Sequence, residues 1–407
     1  MRILHFADSH INAADHGNWS KLNADKRPER TVDFIKSIEK IRSAAINDNV
    51  DLVLFAGDAY DNENPDNWYR DRFQEEIGAI AAHDIPVVMI PGNHDRNRKD
   101  THNSAVSSFL SMNVENVFVP HEPTLLTPDD LRCNAYVIAI PWKIYKNIQG
   151  KKNVSNDEIR KETAAEIDDF IKKAEQLMGS EKSPIILLSH GEVEGAAYNG
   201  NRIVDGFDGE MAFAMETVAD PRLSYTAMGH LHKFQNLNKN AFPPVVYSGS
   251  TERVDMTEAK DDKGYVLADI DDTTLRASVN FVSIKPRQMF DIKVEPKVDE
   301  DINDAISAAL PSDKKLKGAI VKVTVRCPLS RKDSIDREAL ADKLADAFQI
   351  VGACPNMDYV HEQRVRMYDN KVMQSKTEEE IVADFFKSKG KDEANILRLV
   401  ALHKYFS

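Results

Sequence analysis

Asp8, His10, Asp58, Asn93, His190, His230 and His232 are the residues of this chain whose types and spacing could do chemistry together. Carboxylates, an amide and imidazoles make a mixed oxygen and nitrogen ligand set, which suits Mn, Fe or Zn better than Ca. Hydrolysing a phosphodiester takes an activated water, neutralised charge on the phosphoryl oxygens and a proton for the leaving oxygen. Two divalent ions about 3.5–4 Å apart supply the first two. Such a centre wants one carboxylate shared by both ions and imidazoles completing each shell. Asp8 and His10 lie two residues apart, as do His230 and His232, so in extended backbone each pair points one way.

Each of these groups closes an apolar run of the kind that forms a buried strand. Ile3–Ala7 runs into Asp8-Ser-His10, and Asp51–Ala56 runs into Gly57-Asp58. Ile85–Pro91 runs into Gly92-Asn-His-Asp95, Pro184–Leu188 into Ser189-His190-Gly191, and Leu223–Met228 into Gly229-His-Leu-His232. The glycines sit where a strand must turn sharply beside an ion. Helical spacing over Arg30–Asn47, Trp68–His83 and Ser155–Met178 links the strands, and Ser155 with Glu158 forms a capping-box start. Further strands are expected over Asn134–Trp142, Pro244–Ser250, Gly264–Asp271 and Thr274–Ile284, with a hairpin turn at Asp271-Asp272. The alternation is that of an α/β domain. His5, His83 and His121 belong to no motif and are read as core or solvent histidines.

The chain has 407 residues and is 42% hydrophobic, enough for a large core and a further domain. No apolar run approaches the length of a membrane span. A strand beginning by Ile3 is read as leaving no room for a signal peptide, and three cysteines without a CxxC pair suit a reducing, cytoplasmic setting. The net charge of −13 argues against binding nucleic acid through a general basic surface. Local positive groups, metals or a partner would have to do that work.

The pattern changes near Lys285-Pro286. A strand over Gln288–Glu295, a helix over Asp301–Leu310, a strand over Gly318–Cys327, a helix over Asp333–Phe348 and a strand over Tyr359–Met367 suggest a small second domain. After Asp369 come two short amphipathic helices. Thr377 and Glu380 cap the first, with Ile381, Val382, Phe385 and Phe386 on its apolar face; Ile396, Leu397 and Val400 mark the second. Two short helices cannot bury such faces alone.

The block order Asp-x-His, Gly-Asp, Gly-Asn-His-Asp, Ser-His and Gly-His-x-His resembles that of the calcineurin-like metallophosphoesterases. Tyr247-Ser-Gly-Ser-Thr-Glu-Arg253 resembles the Tyr-x-Gly-Ser-x-Glu-Arg segment of the SbcD-type DNA double-strand-break repair nucleases within them. The resemblance implies an α/β fold: a four-layer sandwich of two mixed β-sheets flanked by helices, a small α+β capping domain and a C-terminal helical hairpin. The corresponding domains are residues 1–285 for the nuclease, 286–368 for the DNA-binding cap and 369–407 for a linker and partner-binding helices. It implies two Mn²⁺ ions (or Fe, Mg or Zn). Asp8, His10, Asp58 and His232 would hold one, and Asp58, Asn93, His190 and His230 the other. His94 becomes the acid that protonates the leaving sugar oxygen, with an unperturbed pKa suited to neutral pH. Asp95 would orient His94 or cap the following segment. Asp61 stands where archaeal and eukaryotic members carry a second histidine, as it does in bacterial members. Just beyond these motifs the cluster Arg96, Arg98 and Lys99 reads either as a hold on DNA phosphates or as a solvated loop. The implied partners are DNA, an SbcC-like ATPase of the SMC family docked on the terminal helices, and a second copy of the chain. Two other readings compete: a small-molecule phosphodiesterase or pyrophosphatase of the same superfamily, which leaves the Tyr247–Arg253 block and the tail unexplained, and a non-enzymatic scaffold, which has no use for seven ligands.

Overall fold

Strands β1 (Arg2–Phe6), β2 (Leu52–Phe55) and β3 (Val87–Met89) lie parallel, side by side, in the sheet that positions half of the site. In this computed structural model the described residues are 1–16, 21–97, 100–143, 155–198, 201–202, 210–352 and 355–360. Helix α1 (Thr31–Asn47) joins β1 to β2, and α2 (Asn67–Ala81) joins β2 to β3. Asp66 caps α2 by accepting from the Trp68 N–H at 2.9 Å. Strands β4 (Val117–Phe118), β5 (Thr124–Leu126) and β6 (Tyr136–Ile140) follow. Helix α3 (Asn156–Met178) starts on the expected Ser155–Glu158 capping box and leads to β7 (Ile185–His190). Strands β8 (Tyr225–Gly229), β9 (Gln235–Asn236), β10 (Val245–Tyr247), β11 (Gly264–Ile270) and β12 (Ala277–Ser283) complete the set. One mixed sheet runs β12-β11-β1-β2-β3-β4 and the other β9-β10-β8-β7-β6-β5.

Side-chain alternation explains how the layers stack. Leu4, Phe6, Val53, Phe55, Val87 and Met89 face α1 and α2, packing on Phe34, Ile38, Phe73 and Ile77. Their neighbours Ile3, Leu52, Leu54 and Val88 turn the other way, onto Val137, Ile186, Leu188, Ala227 and Val246 of the second sheet. That sheet's opposite face, with Ile138, Ile185, Leu187 and Val245, packs on Ile159, Ile167 and Ile171 of α3. Helix, sheet, sheet and helix thus form four layers, and the period of two along each strand distributes the cores.

The chain divides into two units, the larger comprising Met1–Ile292, Leu310–Val323 and Glu338–Cys354. It holds both six-stranded sheets and the short parallel pairing of Ile320 and Val321 with Gln349 and Ile350. The other unit comprises Lys293–Ala309, Thr324–Arg337 and Pro355–Ser407. Its described residues include the helix Ile302–Ala309 and a parallel pairing of Thr324–Pro328 with Asn356–Val360.

The helix expected over Asp333–Phe348 is a correction. A 3-10 turn spans Leu329–Ser334, a helix covers only Arg337–Lys343, and Gln349 is already in a strand. The Asn303 side chain accepts from the Asp336 N–H at 2.8 Å and donates to the Ser334 carbonyl at 2.9 Å, capturing the backbone groups a continuous helix would need. Of the strand expected over Tyr359–Met367, the described residues show Asn356–Val360. The remainder, the helix pair expected beyond Asp369, and both Arg98 and Lys99 lie outside the described residues.

Candidate metal centre

The C-terminal edges of β1, β2, β3, β7 and β8 all deliver their last residues to one place. Three of the residues just beyond these edges leave extended geometry altogether: Asp8 has φ 51°, His10 φ 40° and Asp58 φ 59°. His230 has φ 103°. Positive φ in non-glycine residues costs energy and persists only where surrounding contacts impose it. Those contacts are visible. The Asp8 N–H donates to the Gly57 carbonyl at 2.9 Å and the His10 N–H to the Asp58 carbonyl at 3.2 Å. The Asp8 carboxylate accepts from the His230 N–H at 2.9 and 3.2 Å, tying the first sheet to the second.

The side chains then converge. Ligand atoms of Asp8, His10 and His232 lie within 4.8 Å of one another, as do those of Asp8, Asp58 and His190. His190 Nε2 is 3.3 Å from Asp58 Oδ2 and 2.9 Å from Asn93 Oδ1. His230 Nδ1 is 3.1 Å from the same Asn93 oxygen. All seven expected ligands are therefore brought together. Their outer contacts set the tautomers. His190 Nδ1 donates to the Ala56 carbonyl at 2.7 Å, and His232 Nδ1 donates to Glu258 Oε1 at 2.7 Å. With Nδ1 engaged in this way, Nε2 is the nitrogen each ring would turn to an ion, the arrangement typical of metal-ligating histidines.

These residues fit a dinuclear divalent centre. His10 is fully buried, yet its Nε2 has no hydrogen-bond partner among the described residues and lies 3.7 Å from Asp58 Oδ2. A buried polar atom left unmade is costly, and a cation between imidazole and carboxylate relieves it. The charge balance agrees. Burial alone would lower the His190 imidazole, but the facing Asp58 carboxylate outweighs it and lifts it to about 9. Burial would raise Asp58, but the imidazoles of His190 and His10 hold it far below the usual carboxylate range. The cluster draws positive charge to the place where the ions would sit.

His94 stands at the edge of this cluster, its ring 4.9 Å from that of His10. Its backbone N–H donates to Asp58 Oδ1 at 2.9 Å, and its Nδ1 donates to the Asp61 carbonyl at 3.0 Å. Burial lowers its pKa, but the Asp58 carboxylate and the Asp61 carbonyl outweigh burial, and the net shift is upward. A cleft of about 410 Å³ opens beside it, lined by Asn62, Glu63, Asn64, Asn93 and Arg96. Asp61 Oδ1 is 3.1 Å from His10 Nδ1. Asp95 is wholly buried beneath the cluster, and its carboxylate accepts from the N–H groups of Asp58, Ala59, Tyr60 and Gly92. Arg96 is also buried, and its guanidinium donates to the His121 carbonyl. His5 is a core histidine, bonded to the Tyr225 hydroxyl at 2.9 Å and pushed down to about 3 by burial.

Sequence reading missed Glu258 and Lys263, which lie behind His232. No spacing signal marks them, because they are adjacent to the site only through the fold. It did single out Tyr247–Arg253, and that block proves to be a packing hub. The Tyr247 hydroxyl accepts from the Val193 N–H at 2.9 Å and donates to the Gly191 carbonyl at 2.8 Å. Ser250 bridges to Ala7, one residue before Asp8. Glu252 pairs with buried Arg30 at 3.0 Å, and Arg253 donates to the Asp261 and Arg287 carbonyls.

Comparison with known proteins agrees with this geometry. The model of the calcineurin-like phosphoesterase family matches residues 1–234. The DNA double-strand break repair protein Mre11 of Archaeoglobus fulgidus is 25% identical over 85% of this chain and 72% of its own. The SbcD component of the SbcCD nuclease of Staphylococcus epidermidis is 24% identical over 75% of each chain. That of Escherichia coli is 24% identical over 61% of this chain and 60% of its own. No helix among the described residues is long and apolar enough to cross a membrane. The chain belongs to the calcineurin-like phosphoesterase family.

Proposed function

We propose that this chain is a Mn²⁺-dependent DNA nuclease, an SbcD-like subunit that works with an SMC-type ATPase. The observation that carries the reading is the separation of roles within Asn93-His94. Asn93 Oδ1 lies among the ligand nitrogens of His190 and His230. His94 donates through Nδ1 to the Asp61 carbonyl, so its other nitrogen is left for the cleft it lines. Two bound ions would supply an activated water and neutralise phosphoryl charge. Asp8, His10, Asp58 and His232 would hold one ion; Asp58, Asn93, His190 and His230 would hold the other. The chain's own part is orientation and proton supply. Asp58 fixes the backbone of His94, and His94 gives its proton to the departing sugar oxygen. The relatives named as a nuclease and as a break-repair protein support DNA as the substrate.

In this reading residues 286–368 form the capping domain, residues 369–407 bind the ATPase, the active form is a homodimer in the cytoplasm, and Arg96, Arg98 and Lys99 lie along the DNA path. The test is incubation of the purified chain with linear duplex DNA and Mn²⁺. Fragmentation of the duplex is expected; hydrolysis of small phosphodiesters alone overturns the nuclease reading. Removal of residues 375–407 should leave cleavage intact and abolish association with the ATPase.

A further inference from the structure

His232 is clamped from two sides by a buried charged pair, Glu258 and Lys263. Its ring nitrogen Nδ1 donates to Glu258 Oε1 at 2.7 Å. Its carbonyl accepts from Lys263 Nζ at 2.7 Å and from the Ser250 N–H at 3.0 Å. The two clamping side chains also hold each other, with Lys263 Nζ 2.8 Å from Glu258 Oε2. Lys263 is fully buried and spends its remaining donor on Ser250 Oγ at 2.8 Å. Glu258 is buried as well and accepts from the Val254 N–H at 2.9 Å. Burying an ammonium is expensive unless every donor is satisfied. A lysine placed here and satisfied at three points is therefore tied to what it touches, and what it touches is the ligand residue.

We infer that Glu258 and Lys263 are a positioning pair that fixes the tautomer and ring orientation of His232 for one of the two ions. Glu258 holds the proton on Nδ1, so Nε2 faces the ion as a lone pair. Lys263 anchors both the Glu258 carboxylate and the His232 carbonyl, so ring and main chain of the ligand residue are held by the same pair. This rests on the metal-dependent reading of the site but not on the identity of the substrate. Failure to cut DNA would overturn the nuclease proposal and leave this one standing.

The test is Mn²⁺ binding to the full chain by isothermal titration calorimetry, with thermal unfolding of the metal-free protein alongside. Glu258→Ala should weaken one of the two ions about 10–100-fold, the range for loss of an outer-shell partner, and leave the other near its wild-type affinity. Glu258→Gln keeps an acceptor for Nδ1 and should recover most of that loss. A purely structural role predicts a lowered unfolding temperature with both affinities unchanged or equally reduced, which would overturn the inference. Should Glu258→Ala fail to fold, Lys263→Met decides the matter: selective weakening of the same ion supports the pair, and wild-type binding of both ions rejects it.

Discussion

The Asp95 carboxylate accepts the backbone N–H of Asp58 at 2.9 Å, so the loop that carries His94 and the strand end that carries Asp58 are one unit. The same carboxylate takes the N–H groups of Ala59, Tyr60 and Gly92. It fixes the turn rather than the His94 ring. Asp95→Asn presents an amide NH₂ to donors, leaving at least one unsatisfied. The expected cost is about 1–3 kcal/mol of stability, read by urea unfolding, with a fall in activity although no ligand is removed.

Gly92 makes room for that turn. A Cβ there would lie 2.2 Å from Asp58 Oδ1 and 2.6 Å from its backbone nitrogen. Gly92→Ala therefore has to displace the Asp58 carboxylate. Metal titration should show both ions weakened by about 10-fold or more, in contrast to the one-ion loss expected behind His232.

The Tyr247 hydroxyl serves two buried main-chain groups, the Val193 N–H and the Gly191 carbonyl. Tyr247→Phe leaves both without that partner beside the His190 strand end. We expect a loss of about 1–3 kcal/mol in chemical denaturation, with Mn²⁺ affinity reduced less than in any ligand variant.

Glu258 gives the metal-free protein a defined acid sensitivity. Burial pushes its carboxyl up, but His232 and Lys263 outweigh burial and hold it down to about 2, below its ordinary 4.5. A depressed carboxyl contributes stability that is present above its unfolded value and is lost as pH falls toward the folded one. Urea unfolding of the metal-free chain should therefore weaken between about 4.5 and 2, by on the order of 3 kcal/mol from this group. Glu258→Gln should flatten that part of the profile; an unchanged profile would contradict the assignment.

The convergence of the seven candidate ligands was legible because strand ends carry their own signal: an apolar run closing on a polar, glycine-flanked group. The Ser155 cap was legible because capping is local. Glu258 and Lys263 were not, since their meaning lies in contacts with His232 and Ser250 across 26 and 13 residues of chain. The break at Ser334–Asp336 was hidden for the same reason, as Asn303 reaches it from 31 residues away. Local pattern reports what a segment prefers; it does not report which side chain arrives from elsewhere.

Asn93 and His94 have different jobs in the proposed reaction, and one paired measurement tests that most directly. Mn²⁺ binding and cleavage of linear duplex DNA are followed in His94→Ala and Asn93→Ala. The prediction is that His94→Ala binds both ions with wild-type affinity while cleavage falls by about 10²–10⁴-fold, and that Asn93→Ala loses affinity for an ion. If His94→Ala loses an ion, or cuts DNA at the wild-type rate, the division of roles is wrong.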